Sequence, residues 1–224
     1  MRAEAVQHAA DTRNDDLAAG LIALGVRLSD AQRAQLVAFL DLLTKWNKTY
    51  NLTAIREPDR MITHHLLDAL AVLPHLPSAP GLRVLDVGSG GGIPGIPLAV
   101  ARPDWQVTLV DANHKKMAFG TQAGIELKLA NLRAQATRVE ALVPDAPYDI
   151  VISRAFADLA TFAATSARHL GPTGVLVAMK GVHPDEELAE LPPDIEVIAT
   201  TALTVPGLDA ARHLVFMRPR GASA

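Results

Sequence analysis

A glycine-rich turn that follows a short apolar run constrains the fold of this chain more than any other feature. Residues 82–88 (LRVLDVG) lead into a Ser-Gly-Gly-Gly segment, and a new apolar stretch begins after Gly95. A buried parallel strand reads as a short, continuous apolar run, and glycines permit a tight turn with a ligand close to the backbone. The segment therefore predicts a strand, a tight turn and a helix, which is the unit from which parallel sheets are built.

The alternation of strands and helices continues along the chain. Further strands are predicted at residues 105–111, 132–137, near 150 and 175–181, with helices over 113–130 and 159–170. Such units are joined by right-handed crossovers in a doubly wound sheet. The last two strands, IEVIATTAL and RHLVFMR, have no helix-length segment between them, so we expect them to pair antiparallel. The prediction is an α/β, Rossmann-like fold with a mostly parallel seven-stranded sheet and an antiparallel C-terminal edge pair.

The first third of the chain is predicted to be helical and to add no strand. Apolar residues recur at helical spacing from Leu17 onward, so we expect a flexible tail over residues 1–16. Ser29 and Gln32 form the S-x-x-Q pattern of a capping box, which predicts the start of a second helix. The pattern is broken over residues 45–57, which predicts the end of that helix and a loop.

A third helix is predicted between two prolines. Pro58 suits the first turn of a helix, apolar spacing follows it, and Pro74 is expected to end it. At Pro80 the chain changes to the strand–helix alternation. We therefore expect a helical extension over residues 17–79 and one α/β domain over residues 80–220.

Composition and charge exclude several classes of site. The chain has 224 residues and no cysteine, which excludes disulfides, thiolate nucleophiles and cysteine-based metal centres. Its net charge is −3, so nucleic acid would have to bind to a local basic patch. The N-terminus lacks the apolar segment of a signal peptide, and no apolar run has the length of a membrane span. We expect a cytoplasmic, monomeric protein that makes no membrane contact.

The glycine-rich turn and an acid on the next strand predict a nucleoside-containing cofactor. Asp111 ends the second strand, where a carboxylate can accept hydrogen bonds from both ribose hydroxyls. The spacing of Gly90, Gly92 and Gly95 also matches a dinucleotide fingerprint. However, Asp86 beside the turn would repel a pyrophosphate and attract a sulfonium and an amino group. S-adenosylmethionine is therefore favoured over an NAD-type cofactor, and a purely structural turn is the third alternative.

Several longer motifs resemble those of one family. They are KWNKTYNLTAIREPDRMITHHLLDAL, LDVGSGGGIPGIPLAVARP, ISRAF, MKG and RHLVF, which lie between Leu28 and Met217. They resemble the RsmG (GidB) family of 16S ribosomal RNA guanine-N7 methyltransferases, and Pro94 and Pro97 make the second motif especially specific. The resemblance implies a class I methyltransferase fold over residues 80–220 and S-adenosylmethionine as cofactor. It also implies methylation of one guanine N7 of 16S rRNA, within the small ribosomal subunit.

The resemblance and the turn together define candidate cofactor contacts. The resemblance implies contacts at Gly88, Ile93, Val139, Glu140 and Arg154, and the turn and second strand add Gly90, Asp111 and Ala112. A backbone N–H at Val139 or Glu140 would suit the adenine edge, although Glu140 could equally be a solvated acid at a helix start. Arg154 could pair with the cofactor carboxylate, Glu140, Asp111 or an RNA phosphate, or be an ordinary surface residue; the resemblance favours the cofactor.

A basic segment with interleaved aromatic residues predicts the contact with RNA. The candidates in this segment are Lys45, Arg56, Arg60 and His65. A further candidate is Lys180, at the end of the fifth strand. Cations and aromatic planes suit phosphates and unstacked bases, and Trp46 and Tyr50 lie in this segment. The alternatives are a solvated polar face with Trp46 in the core, and for Lys180 a position that only flanks a turn.

Acid–base and metal chemistry find little support in the sequence. Guanine N7 has an available lone pair, so its methylation needs alignment and desolvation rather than a base, and no catalytic residue is assigned. His64, His65 and Asp68 make a weak metal site because adjacent histidines point apart on a helix, so we expect no metal. A methyltransferase for a small molecule or a protein, and an NAD-linked oxidoreductase, are the alternative functions.

Overall fold

A seven-stranded sheet forms the centre of the molecule in the computed structural model, which describes residues 2–221. Its strands are β1 (Arg83–Val87), β2 (Gln106–Asp111), β3 (Leu132–Ala136), β4 (Tyr148–Arg154), β5 (Leu170–Lys180), β6 (Ile195–Leu203) and β7 (Arg212–Pro219). Their order is β3-β2-β1-β4-β5-β7-β6. The first five are parallel, and β7 runs antiparallel to both β5 and β6. The predicted fold class is confirmed, including the antiparallel C-terminal pair.

Helices cover both faces of the sheet and form the N-terminal third. They are α1 (Arg2–Ala23), α2 (Asp30–Tyr50), α3, α4 (Gly95–Ala101), α5 (His114–Glu126), α6 (Leu159–Ser166) and α7 (Asp185–Ala189). Helix α3 consists of an α-turn Pro58–Met61, a π-helical segment Ile62–Leu67 and an α-turn Asp68–Leu70. Short 3₁₀ turns are Leu73–His75, Val139–Ala141 and Ala167–His169.

The N-terminal helices differ from their predicted bounds. Helix α1 begins at Arg2, well before the start at Leu17 that apolar spacing predicts, while the predicted flexibility of residues 1–16 stays a prediction. Polar residues with no apolar repeat carry no periodic signal, and an ion pair between Arg13 and Asp41 (2.6 Å) ties α1 to α2. The predicted capping box of Ser29 is present, but α2 extends to Tyr50, into the segment 45–57 where the break is predicted. Its end is set by Asn51, whose φ of 49° is left-handed.

Two hydrophobic clusters hold the layers together. The larger includes Leu36 and Leu43 of α2, Leu66 of α3, and Phe119 of α5, all fully buried, and it joins the N-terminal helices to one face of the sheet. The smaller fills the opposite face, under α6. The division into a tail, an extension over 17–79 and a domain over 80–220 remains a proposal, and its two larger parts share the first cluster. Within residues 2–221, no helix combines the length and apolarity that crossing a bilayer requires.

Candidate active site

The glycine-rich turn lies at the carboxyl end of β1, at the edge where ligands bind in open α/β sheets. Gly88 and Ser89 both donate their backbone N–H to the carbonyl of Val110, which ties the turn to β2. Gly88 has a φ of +66°, and a Cβ there would lie 2.5 Å from the ring of Phe156. Only glycine combines this backbone conformation with so close an approach.

Asp86 is fully buried beneath this turn. Its Oδ2 accepts the N–H of Gly95 at 2.9 Å, at the start of α4. Its Oδ1 and the hydroxyl of Ser89 have no hydrogen-bond partner among the described residues. Burial raises the pKa of Asp86 to about 7, although the Gly95 N–H opposes the shift. One oxygen therefore faces α4, and the predicted attraction of a cofactor cation rests on the other.

Asp111 stands at the end of β2 and organises the turn. Its Oδ2 accepts the N–H of Gly90 at 3.1 Å, and its Oδ1 accepts the N–H of Asn113 at 2.8 Å. Lys116 lies 3.4 Å from the same carboxylate. A sheet-end acid held in this way is pre-positioned for donors on a ligand, because its two oxygens have four lone-pair sites.

A cavity of about 270 Å³ opens in front of Asp111, and we call it the glycine-turn cavity. Its lining includes Val87, Gly88, Val110, Asp111, Ala112, Lys116, Val139, Glu140, Ala155 and Phe156. Five of the predicted cofactor residues thus share one cavity: Gly88, Asp111, Ala112, Val139 and Glu140. Gly90 donates its backbone N–H to Asp111 but does not line the cavity, Ile93 is buried in the larger core cluster, and Arg154 lines a different cavity.

The second cavity, of about 430 Å³, lies beside the first, and we call it the arginine cavity. It is lined by Thr53, Ala54, Ile55, His64, His65, Asp68, Arg154, Ala155, Met179, Lys180, Gly181 and Arg212. Ala155 lines both cavities, so the segment after β4 separates them. The two cavities are therefore neighbours on either side of Ala155.

Asp68 is the anion of the arginine cavity and is 2% exposed. Its Oδ2 accepts from Arg154 at 3.0 Å and its Oδ1 from Arg212 at 2.7 Å. Arg154 also donates to the carbonyl of His64 at 2.9 Å. The sequence suggested Glu140 or Asp111 as partners of Arg154 within the chain. Neither pairs with Arg154, because folding places the buried Asp68 of α3 against it.

His65 is buried and neutral in the wall of the arginine cavity. Its Nε2 lies 3.0 Å from the hydroxyl of Thr53, whose backbone N–H is held by Asn47 at 2.9 Å. Burial lowers the pKa of His65 to about 4, and the charge of Arg154 adds to the shift. Its Nδ1 has no hydrogen-bond partner among the described residues. His65 therefore adds a polar but uncharged surface to the cavity at neutral pH.

Lys180 reaches the arginine cavity but is already neutralised. Its ammonium contacts both carboxylate oxygens of Glu187, at 2.7 and 3.0 Å, and the carbonyl of Ala157 at 2.9 Å. The sequence left two interpretations of Lys180 open: a side chain that faces the site, and a residue that only flanks a turn. Its position in the structure has features of both. Lys180 lines the cavity while it ties β5 to α7.

The basic segment around α2 and α3 is only partly the surface predicted. Lys45, Arg56 and Arg60 are exposed, although Arg56 donates to Asn51 at 2.8 Å. Trp46 packs against the core and contacts the ring of Phe119 at 5.6 Å between centroids. Trp46 is partly buried and packs as the alternative interpretation expects, whereas Tyr50 is exposed, and contact of either ring with RNA stays a prediction.

The described residues contain no group of three or more His, Asp or Glu that could hold a metal ion. Sequence reasoning missed Arg212 and Thr53 and did not assign Phe156 to a cavity. Arg212 is the first residue of the RHLVF motif and of β7, so a charged residue at the start of an apolar strand was the available signal. For Thr53, no local pattern shows that a loop returns to His65.

Known proteins match this chain over most of its length. The family model of the rRNA small subunit methyltransferase G (GidB) matches residues 32–215. Ribosomal RNA small subunit methyltransferase G of Laribacter hongkongensis is 53% identical over 90% of this chain and 96% of the relative. The protein of the same name from Neisseria meningitidis serogroup A is 53% identical over 93% of this chain and 99% of the relative.

Solved structures agree at the level of the fold. The glycopeptide N-methyltransferase MtfA in complex with sinefungin is 15% identical, with a TM-score of 0.60 over 70% of this chain and 87% of that chain. TrmN from Thermus thermophilus is 19% identical, with a TM-score of 0.55 over 67% of this chain and 48% of that chain. At such identities the similarity shows a shared methyltransferase fold, whereas the family is shown by the sequence relatives. The chain belongs to the rRNA small subunit methyltransferase G family.

Proposed function

We propose that this protein transfers a methyl group from S-adenosylmethionine to one guanine N7 of 16S rRNA, as a cytoplasmic monomer that acts on the small ribosomal subunit. The observation that carries the proposal is that the glycine-turn cavity and the arginine cavity lie side by side and share Ala155 in their walls. Membership of a family named for ribosomal RNA methylation supports the substrate. One cavity would hold the methyl donor and the other the target nucleotide.

The residues of the glycine-turn cavity fit a nucleoside with a cationic tail. The carboxylate of Asp111 suits the ribose hydroxyls, and the apolar Val110 and Val139 suit the faces of a base. We propose that Gly88, Ala112 and Glu140 complete these contacts. The buried Asp86 oxygen that lacks a partner is a further hydrogen-bond acceptor beneath the turn. Gly90, Ile93 and Arg154 remain proposed contacts that the resemblance or the motif suggests.

The chain then has to align and shield rather than exchange protons. S-adenosylmethionine supplies an electrophilic methyl group when bound. Guanine N7 presents its own lone pair, so no residue need act as base. The methylated guanine ring gains positive charge, and the neutral His65 in the cavity wall avoids the repulsion that a charged imidazole would cause. Asp68 is paired with two arginines, and these contacts fix the wall of the arginine cavity.

Methyl transfer to small ribosomal subunits that lack the modification tests the proposed reaction. Tritiated S-adenosylmethionine is expected to label the RNA, and mapping should place the label on one guanine N7. Label on an exocyclic amine, or on protein alone, would refute this substrate and favour another methyltransferase class. Calorimetry with S-adenosylhomocysteine and with NAD(H) tests the cofactor separately, and tight binding of NAD(H) alone would refute S-adenosylmethionine.

The exposed arginines of the basic segment are expected to contact RNA phosphates. The double variant Arg56→Ala and Arg60→Ala should weaken RNA binding and lower its salt slope by roughly one unit per lost contact, because each phosphate contact releases counterions. Affinity for S-adenosylhomocysteine should not change. Fluorescence anisotropy of a 16S rRNA fragment over a salt series measures both RNA effects.

A matched control removes the same charge elsewhere. Arg27 and Arg133 are exposed and lie outside the basic segment, so Arg27→Ala with Arg133→Ala lowers the net charge equally. We expect a smaller effect on the salt slope from the control pair. Equal slopes for the two double variants would show that Arg56 and Arg60 are an ordinary solvated face.

A further inference from the structure

We propose that Arg212 binds a phosphate of the RNA substrate inside the arginine cavity, and that Asp68 is the residue that positions it. The inference rests on the proposed function and extends it, because it assigns an anion site that neither the glycine-rich turn nor the basic segment contains. Four observations carry it: the place of the cavity, its charge balance, the hydrogen bonds of Arg212, and the chemistry of guanine N7.

The place of the cavity suits a nucleotide taken out of its RNA context. Sequence-specific enzymes that modify a base reach it by extrusion into a pocket, or act on unpaired nucleotides. The arginine cavity shares Ala155 with the glycine-turn cavity, and its volume of about 430 Å³ lies within the range of small-molecule sites. A base that enters it brings its own phosphodiester to the cavity wall.

Among the arginines, the lysine and the carboxylates at the cavity, one positive charge is left over. Arg154 and Arg212 share the single carboxylate of Asp68. The third cation, Lys180, is matched by Glu187, and the low pKa of His65 keeps that ring neutral. A phosphodiester carries one negative charge, so it would complete the balance. A guanidinium is also the cation best shaped for phosphate oxygens.

The hydrogen bonds of Arg212 leave a donor group available. Its Nε donates to Asp68 at 2.7 Å and its Nη1 to the carbonyl of Ala211 at 2.8 Å. Its Nη2 makes no hydrogen bond to the residues that the structure describes, and the side chain is partly exposed. Asp68 is almost fully buried and therefore holds the guanidinium in one orientation. A pre-oriented donor loses less conformational entropy when it binds an anion.

The chemistry of the target atom favours phosphate over the base edge. An arginine that reads guanine usually donates to both O6 and N7. Such a contact would occupy the lone pair on N7 that must attack the methyl group. A guanidinium that binds the phosphate leaves N7 free. Arg212 is therefore assigned to the phosphate, with the cofactor carboxylate as the competing anion that the experiment must distinguish.

The experiment compares Arg212→Gln with the wild-type protein on 16S rRNA and on S-adenosylhomocysteine. We expect the KM for small subunits lacking the modification to rise about ten- to hundred-fold, the usual scale for a lost charge-assisted hydrogen bond. The salt slope for binding of an unmodified 16S rRNA fragment should fall by about one unit. Affinity for S-adenosylhomocysteine, measured by calorimetry, should not change.

Two variants serve as controls. Arg218→Gln changes the same residue type on the same strand, where Arg218 is paired with Glu196 outside both cavities, and should behave like the wild type. Arg212→Lys keeps the charge but not the planar fork, so the salt slope should be restored while the KM recovers only in part. If Arg212→Gln does not fold, Arg212→Lys decides the question through its KM.

Two further outcomes would overturn the proposal, and a third would overturn the proposed function. A loss of S-adenosylhomocysteine affinity with unchanged RNA binding would assign the arginine to the cofactor carboxylate. An unchanged KM and salt slope in folded Arg212→Gln, or a wild-type KM in Arg212→Lys where the glutamine variant is unfolded, would refute an anion site. Failure of the wild-type protein to methylate small subunits would instead refute the proposed function, since the salt slope of RNA binding is measured without turnover.

Discussion

Asp111→Asn is expected to lower the affinity for S-adenosylhomocysteine by at least about a hundred-fold, because two charge-assisted hydrogen bonds to ribose hydroxyls would be lost. The substitution keeps the size of the side chain. However, the amide replaces one carboxylate oxygen with a donor, and both oxygens now accept backbone N–H groups, from Gly90 and Asn113. The loss therefore combines a weaker ribose contact with a less ordered glycine-rich turn. Isothermal titration calorimetry measures the affinity.

Asp149→Asn is the matched control for this change. Asp149 is partly buried on β4 and accepts the backbone N–H of Arg83 at 2.7 Å, at the opposite end of the sheet. The control should lose some stability and keep its affinity for S-adenosylhomocysteine. An Asp111→Asn protein that binds as tightly as the wild type would exclude Asp111 from the cofactor site.

Asp86→Asn is expected to gain stability relative to the wild type as the pH rises from about 4 to about 7. The ordinary pKa of an aspartate carboxyl is 3.8, and burial, which penalises the charged form, raises that of Asp86 to about 7 in the folded protein. Between these values the folded state holds a proton that the unfolded state has released. The stabilising contribution of Asp86 is therefore complete below about pH 4 and is lost as the pH rises to about 7.

The magnitude follows from the same shift. A difference of about three pKa units corresponds to a change of about 4 kcal/mol in the free energy of unfolding across this range. Because asparagine does not titrate, the stability of Asp86→Asn relative to the wild type should rise by that amount between pH 4 and pH 7. Urea denaturation at several pH values measures it. A difference that is constant with pH would show that Asp86 ionises normally.

His65 changes stability in the opposite direction over nearly the same range. Its pKa is lowered from 6.5 to about 4, so its contribution is present above pH 6.5 and is lost as the pH falls towards 4. The free energy of unfolding of the wild-type protein therefore contains two opposed pH-dependent contributions, which partly cancel. Comparison of Asp86→Asn with the wild type cancels His65, because both proteins contain it.

The local patterns of the sequence determined the order of the elements and the position of the glycine-turn cavity. Strands β1 and β2 are short apolar runs, the capping box of Ser29 starts α2, and the glycines after Asp86 leave no alternative to a tight turn. These features depend on residues that are close together in the sequence, so they can be predicted without a structure. The start of α1 could not be predicted because residues 2–16 lack an apolar repeat. The end of α2 could not be predicted because the residues up to Tyr50 contain no strong stop signal.

Only the tertiary structure decided the arginine cavity. Asp68 meets Arg154 across 86 residues and Arg212 across 144 residues, and no spacing along the chain encodes that meeting. It arises because the order of β1, β4, β5 and β7 in the sheet brings the ends of three strands against α3. The pKa values of Asp86 and His65 belong to the same category, since burial is a property of packing. Sequence patterns specify which segments are apolar, whereas packing specifies which charges must share one buried partner.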